Sequence, residues 1–196
     1  MKLNVGCGPF YAAHWINTDV VMAPELQICP DIVVDPDDPF GHPELVAHGP
    51  YSHVYLGHVL EHMPWDQLPD RFYELMGLTE PGTKIMVVGP DTMRVLDRWK
   101  RGQEPWSKVA GIIEADSPYI DINDDHRRWE EDRHQWNCHE QRVVDLLGTV
   151  GLTNIRAVPL LDTECLDINY IRGMCGWPLV SDAPCQFAVE ATVPAE

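Results

Sequence analysis

Short apolar runs alternate with turns through the first hundred residues. Lys2 to Val5 reads as a strand and runs into Gly6-Cys7-Gly8-Pro9. Trp15 to Val21 reads as a second, with Asp19 near its end. Asp31 to Val34 is a third, closed by Asp35-Pro36. His53 to Leu56 is a fourth, closed by Gly57, and Lys84 to Val88 a fifth, closed by Gly89-Pro90-Asp91. The third and fifth are continuous apolar runs, the pattern of strands buried on both faces. Between the fourth and fifth, Asp66 to Leu78 places Leu68, Phe72, Leu75 and Met76 on one helical face. Pro81-Gly82 then breaks the chain before the fifth strand. Asp91 is a good N-cap for a helix through about Arg101. His139 to Val150 repeats apolar residues at helical spacing, with Gly151 as its stop. Asn154 to Leu160 and Gln186 to Val193 read as two last strands.

Strands alternating with helices predict an α/β fold, an open and mostly parallel sheet. In such sheets ligands sit beyond the carboxyl ends of the strands. Here those ends carry Gly6-Cys7-Gly8, Asp19, Asp35, Gly57-His58 and Pro90-Asp91. Glycines and carboxylates thus gather at one edge. Residues 99–138 break the pattern. They hold Trp99, Trp106, Trp129 and Trp136, with Arg101, Arg127, Arg128, Arg133, His126 and His134. They read as a Trp/Arg/His-rich insertion capping a substrate site, within a single domain of 1–196. Residues 161–185 form a second irregular stretch.

The charge balance narrows the partners. Lys and Arg number 14 against 31 Asp and Glu, a net charge of −17, which repels phosphate backbones and argues against nucleic acid or anionic membrane. No apolar run approaches a membrane span, and no signal-like stretch follows Met1, so the cytoplasm is the expected location. The six cysteines form no C-x-x-C pair and read as reduced thiols. A homo-oligomer stays open, since Trp65 and Trp177 suit an interface as well as a core.

Several motifs have competing readings. Gly6-x-Gly8 lets the backbone approach a ligand, and Asp19 can accept ribose hydroxyls, yet a bare turn and a loop cap explain them equally. Tyr11 stands where a dinucleotide fingerprint needs glycine, and no P-loop is present, which favours a cofactor without a pyrophosphate. His58-Val59-Leu60-Glu61-His62 matches the H-x-x-E-H of inverted zinc peptidases. That motif needs a helix, and Gly57 before it with Pro64 after it favours a strand end plus turn. Pro184-Cys185-Gln186 matches the nucleophile loop of DNA cytosine methyltransferases in letters, but it stands before the last strand rather than after the fourth. Cys138-His139 is a soft-metal pair without a second pair.

Taken in order, Leu3-Asn4-Val5-Gly6-Cys7-Gly8, Trp15-Ile16-Asn17-Thr18-Asp19, Asp31-Ile32-Val33-Val34-Asp35, Gly57-His58-Val59-Leu60-Glu61-His62, Glu80-Pro81-Gly82 and Pro90-Asp91 resemble class I S-adenosylmethionine-dependent methyltransferases. The nearest pattern is the type 11 branch, with L-N-x-G-C-G, H-V-L-E-H and K-P-G-G motifs. The resemblance covers roughly residues 2–91 and 139–160, and it implies an α/β fold with a Rossmann-like, open, mostly parallel sheet of seven strands and helices on both faces. It implies S-adenosylmethionine as cofactor, with Gly6, Cys7 and Gly8 lining its methionine part and Asn4 among the cofactor-binding residues. Asp19 would hold the ribose hydroxyls, Asp35 the adenine amino group, and Gly57 and His58 would close the pocket. Phe10 replaces a third glycine, and the connection from Gly8 to Trp15 is too short for the usual crossover helix.

The function this implies is methyl transfer to a small-molecule acceptor: a sugar, a ring or an acidic metabolite. A methyltransferase-like protein that binds the cofactor without catalysis is the alternative. His62 and Asp91 are the candidate catalytic residues, with Asp91 equally suited to a helix cap. Some quinone-methylating relatives use a matching Glu-His pair to bind a divalent metal, and Glu61 and His62 keep that pair. No metal ligand is assigned from the sequence.

Overall fold

The computed structural model describes residues 1–106, 109, 134–159 and 186–195. It contains a seven-stranded sheet in the order β3-β2-β1-β4-β5-β7-β6. The strands are β1 (Lys2–Val5), β2 (Ile16–Asp19), β3 (Ile32–Val33), β4 (Tyr51–Gly57), β5 (Thr79–Pro90), β6 (Thr153–Ala157) and β7 (Gln186–Thr192). β3, β2, β1, β4 and β5 run parallel, and β7 is antiparallel to both β5 and β6. The order reverses at β1, so the crevice between the ends of β1 and β4 is the topological switch point. Four α-helices are described: α1 (Pro43–His48), α2 (Leu68–Gly77), α3 (Thr92–Lys100) and α4 (Glu140–Thr149). None is long and apolar enough to cross a membrane.

Strand alternation sorts the side chains. Leu3 and Val5, Val54 and Leu56, Ile85 and Val87, and Phe187, Val189 and Ala191 join one apolar cluster. Leu45 of α1, Phe72 and Leu75 of α2, and Val143, Leu146 and Leu147 of α4 complete it. The alternate positions form a row across the sheet: Asn17, Asn4, Tyr55, Met86 and Glu190 pair in register. All five are buried. The row passes from paired amides through aromatic and apolar groups to an ion pair, where Arg156 bonds Glu190 at 2.8 Å.

Three elements differ from the sequence pattern. β3 is a two-residue edge strand, so Ile32 is buried while Val33 is 43% exposed. An apolar pair reads alike at an edge and in the middle of a sheet. Pro81-Gly82 lies inside β5 rather than before it. Tyr51 pairs with Thr79 and His53 with Lys84, so the extra residues of β5 bulge out, a setting that tolerates proline. Thr83 clamps the bulge by donating to Tyr51 O at 2.6 Å, and Gly82 N donates to Val193 O at 3.0 Å. Finally, α1 begins at Pro43 with His42 as its cap and buries only Leu45, too little to register as a helical period.

The connection from β1 to β2, residues 6–15, contains no helix. Asn17 closes it from below. Its Oδ1 accepts from Ala12 N at 2.7 Å and from Asn4 Nδ2 at 3.0 Å. Its Nδ2 donates to Ala12 O at 3.0 Å and to Asp31 Oδ2 at 2.9 Å. Asn4 Nδ2 also donates to Phe10 O at 3.2 Å. Asp31 fastens the outer side, accepting from Asn17 N at 2.8 Å and from the Tyr11 hydroxyl at 2.8 Å. A side-chain clasp thus does the work that a crossover helix does elsewhere. Asn17→Ala leaves several buried polar groups without partners, so it should lower unfolding free energy by about 1–3 kcal/mol in urea titrations.

Candidate functional site

The carboxyl ends of the five parallel strands bring Gly6-Cys7-Gly8, Asp19, Asp35, Gly57-His58 and Asp91 to one edge. Gly6 has φ +61, and a Cβ there would collide with the Val59 side chain, which follows β4. The chain after β1 and the chain after β4 therefore touch across the switch point, and only glycine permits it. Gly8 has φ +50, and its Cβ direction meets nothing within 4 Å. The backbone at Gly8 borders open space. Its N–H donates to Asp19 Oδ2 at 2.8 Å, while Val21 N donates to Asp19 Oδ1 at 3.1 Å. Each carboxylate oxygen keeps a lone pair for a further donor.

Cys7 is 1% exposed, and its N–H donates to Thr18 O at 2.8 Å. Burial, with the nearby Asp19 and Asp31 carboxylates, pushes its thiol up to about 12. It is a neutral wall and not a nucleophile. Asn4 is fully buried beneath the loop and acts on it from inside. Asp35 is exposed, and its Oδ1 accepts from Asp37 N at 2.9 Å.

After β4 the chain turns sharply. His58 has φ +56, and its N–H donates to Val88 O at 2.8 Å. Leu60–His62 form a single 3-10 turn. The H-x-x-E-H letters thus span a strand end and a turn, and the helix that a zinc peptidase motif needs is not there. His58 Nδ1 donates to Glu61 Oε1 at 3.1 Å. Glu61 is 0% exposed, and its Oε2 has no hydrogen-bond partner among the described residues. Burial pushes the Glu61 carboxyl up. The His58 hydrogen bond and the charges of His58 and His62 outweigh it, so the carboxyl is held below the usual carboxylate range.

The segment from His134 to His139 is sewn onto this turn. Gln135 N donates to Glu61 O at 2.7 Å, and Trp136 Nε1 donates to Leu60 O at 2.9 Å. His134 is thereby held beside His62, with ring centroids 5.0 Å apart in an edge-on arrangement. One ligand atom each from Glu61, His62 and His134 lie within 4.8 Å of one another. The sequence flagged all three without joining them, because His134 lies more than seventy residues along the chain. Trp136 belongs to the apolar core, whereas Trp99 and Trp106 pair with each other at 5.0 Å.

Asp91 is 3% exposed and caps α3. Its Oδ1 accepts from Arg94 N at 3.0 Å, and its Oδ2 pairs with Arg94 Nε at 3.0 Å. Cys138 and His139 both serve the local fold. The Cys138 thiol is buried, which pushes its pKa far up, and His139 Nδ1 accepts from Arg142 N as the cap of α4. Thr92 fixes the same segment by donating from N and Oγ1 to Cys138 O, at 3.0 and 2.8 Å. Trp129, Trp177, Cys165, Cys175, Cys185, His126, Arg127, Arg128 and Arg133 lie outside the described residues.

Solved structures share this architecture. A SAM-dependent methyltransferase from Archaeoglobus fulgidus aligns with TM-score 0.50 at 13% identity, over 97% of this chain and 85% of that one. The plantazolicin methyltransferase BamL, solved with a triazolic desmethylPZN analog and SAH, aligns with TM-score 0.51 at 11% identity, over 98% and 76%. The CurJ carbon methyltransferase aligns with TM-score 0.53 at 13% identity, over 99% of this chain and 48% of that one. The fold is the one these methyltransferase structures share. No family model matches the chain, and no curated protein does.

Asp31 offers a pH test of the loop beneath this edge. Burial pushes its carboxyl up, but the hydrogen bonds from Asn17 and Tyr11 prevail and hold it below its ordinary value. A carboxyl lowered on folding contributes stability above its unfolded pKa of about 4 and loses it as pH falls through the lower folded value. The stability margin of wild type over Asp31→Asn should therefore shrink on acidification below pH ~4, read by urea melts across that range.

Proposed function

We propose that the chain is an S-adenosylmethionine-dependent methyltransferase acting on a small-molecule acceptor, a sugar, ring or acidic metabolite. The observation that carries this reading is the Gly8–Asp19 contact between the ends of β1 and β2, beside the switch point of a 3-2-1-4-5-7-6 sheet. The residues suit the cofactor. Gly8 faces open space, and the Asp19 carboxylate retains lone pairs for ribose hydroxyls. We assign Gly6, Cys7 and Gly8 to its methionine part, over the support of Asn4. Asp35 takes the adenine amino group, and Gly57 with His58 closes the pocket.

Held by Gly6, Cys7, Gly8 and Asp19, the cofactor would supply a methyl group on a cationic sulfur, and an oxygen or nitrogen acceptor that takes it would have a proton to lose. The protein's part is to align the acceptor and to receive that proton. Asp91 is committed to Arg94 and the start of α3, so we assign the acceptor's proton to His62. The insertion spanning 99–138 is assigned to the acceptor side of the cleft.

The helix-free connection over residues 6–15 and Phe10 in place of a third glycine favour a second reading, a cofactor-binding protein without catalysis. Calorimetric titration with S-adenosylmethionine and S-adenosylhomocysteine tests what the two readings share. Micromolar binding to wild type, weakened at least tenfold in Asp19→Ala, is the expected result, and no binding of either ligand overturns both. Methyl transfer from labelled cofactor to a panel of small acceptors separates them. Transfer lost in His62→Ala supports the enzyme, and binding without transfer supports the second reading.

A further inference from the structure

We propose that Glu61, His62 and His134 form a binding site for one divalent transition metal of the zinc class. Their ligand atoms lie within 4.8 Å of one another, close enough for small side-chain shifts to bring them onto one cation. The donor set is two imidazoles and one carboxylate, which suits zinc, cobalt or iron better than magnesium or calcium. Three protein ligands leave a coordination position open, as catalytic metal sites require.

Two further observations point to a cation. Glu61 is fully buried, and its Oε2 has no hydrogen-bond partner among the described residues. A buried carboxylate oxygen without a partner is costly unless a positive charge meets it. The other oxygen is already oriented, because His58 Nδ1 donates to Oε1 at 3.1 Å. That is the support an outer residue gives to a metal-ligating carboxylate. His134, for its part, is delivered by the Gln135 and Trp136 hydrogen bonds to the 60–62 turn, so the backbone already places it beside the other two. When bound, the cation would lower the pKa of a coordinated acceptor hydroxyl, and His62 would then serve as ligand in place of proton acceptor.

The experiment uses the tag-free full chain stripped with a chelator, then titrated with Co2+ and followed by visible absorption. One equivalent should produce the intense bands of a four- or five-coordinate centre, and Zn2+ should displace them. Glu61→Gln and His134→Ala should each weaken Co2+ binding by more than tenfold, and His58→Ala by about 10–100-fold. His134→Cys should keep the metal and add a thiolate-to-cobalt charge-transfer band, which reads the site even if another variant fails to fold. Only the spectrum of hydrated Co2+ with wild type, or bands unchanged in both His62→Ala and His134→Ala, overturns the proposal. The readout needs no S-adenosylmethionine, so its failure leaves the methyltransferase reading standing, and the reverse also holds.

Discussion

The candidate cleft depends on how a parallel pair of strands is joined without a helix. Two neighbouring parallel strands must be linked by a connection that returns the chain to its starting edge. Here residues 6–15 make that return with turns, and their backbone needs are met by Asn4, Asn17 and Asp31. Because β1 and β2 are in register at Asn4 and Asn17, the two amides face each other and bond directly. Their position under the loop holds Gly8 against Asp19. The clasp therefore links strand register to the geometry of the glycine turn, and a shift of one residue in β2 would swing Asn17 to the other face.

A second constraint acts at the far side of the cleft. The chain leaves β4 through a positive-φ histidine and a single tight turn, so Glu61 is pulled into the interior instead of standing in solvent. An interior carboxylate must be compensated, and the compensation comes from imidazoles. The same turn offers its backbone carbonyls to the segment from His134 onwards. Main-chain pairing and side-chain charge thus arrive at one place from distant parts of the sequence.

Much of this was legible in advance for physical reasons. The parallel strands announced themselves as apolar runs ended by glycine or aspartate, and α4 by its apolar spacing and Gly151, which takes φ +86. The strand ends gave Gly6, Gly8, Asp19 and Asp35 their common edge. What escaped depends on partners far along the chain. Nothing near Asn17 says that it will meet Ala12, Asn4 and Asp31 together, and an asparagine in a strand reads as a weak strand residue. His134 stood out only as one histidine of the insertion, since its neighbour His62 is brought to it only by the fold. β5 hid its bulge because Pro-Gly reads as a boundary, and the clamp from Thr83 that makes it interior belongs to tertiary structure.

Trp136 ties this side of the cleft to the body of the protein. Its indole sits in the apolar core, packs tilted against Trp65 with ring centroids 4.7 Å apart, and lies with Trp65 under the guanidinium of Arg142 from α4. Surface connections usually open by local fluctuation, at little cost in free energy. The stretch around Gln135 and Trp136 cannot do so without prising an indole out of the core and breaking its bond to Leu60 O. Its opening belongs with cooperative unfolding of the core, so slow hydrogen exchange there would mark a rigid wall and not a gate.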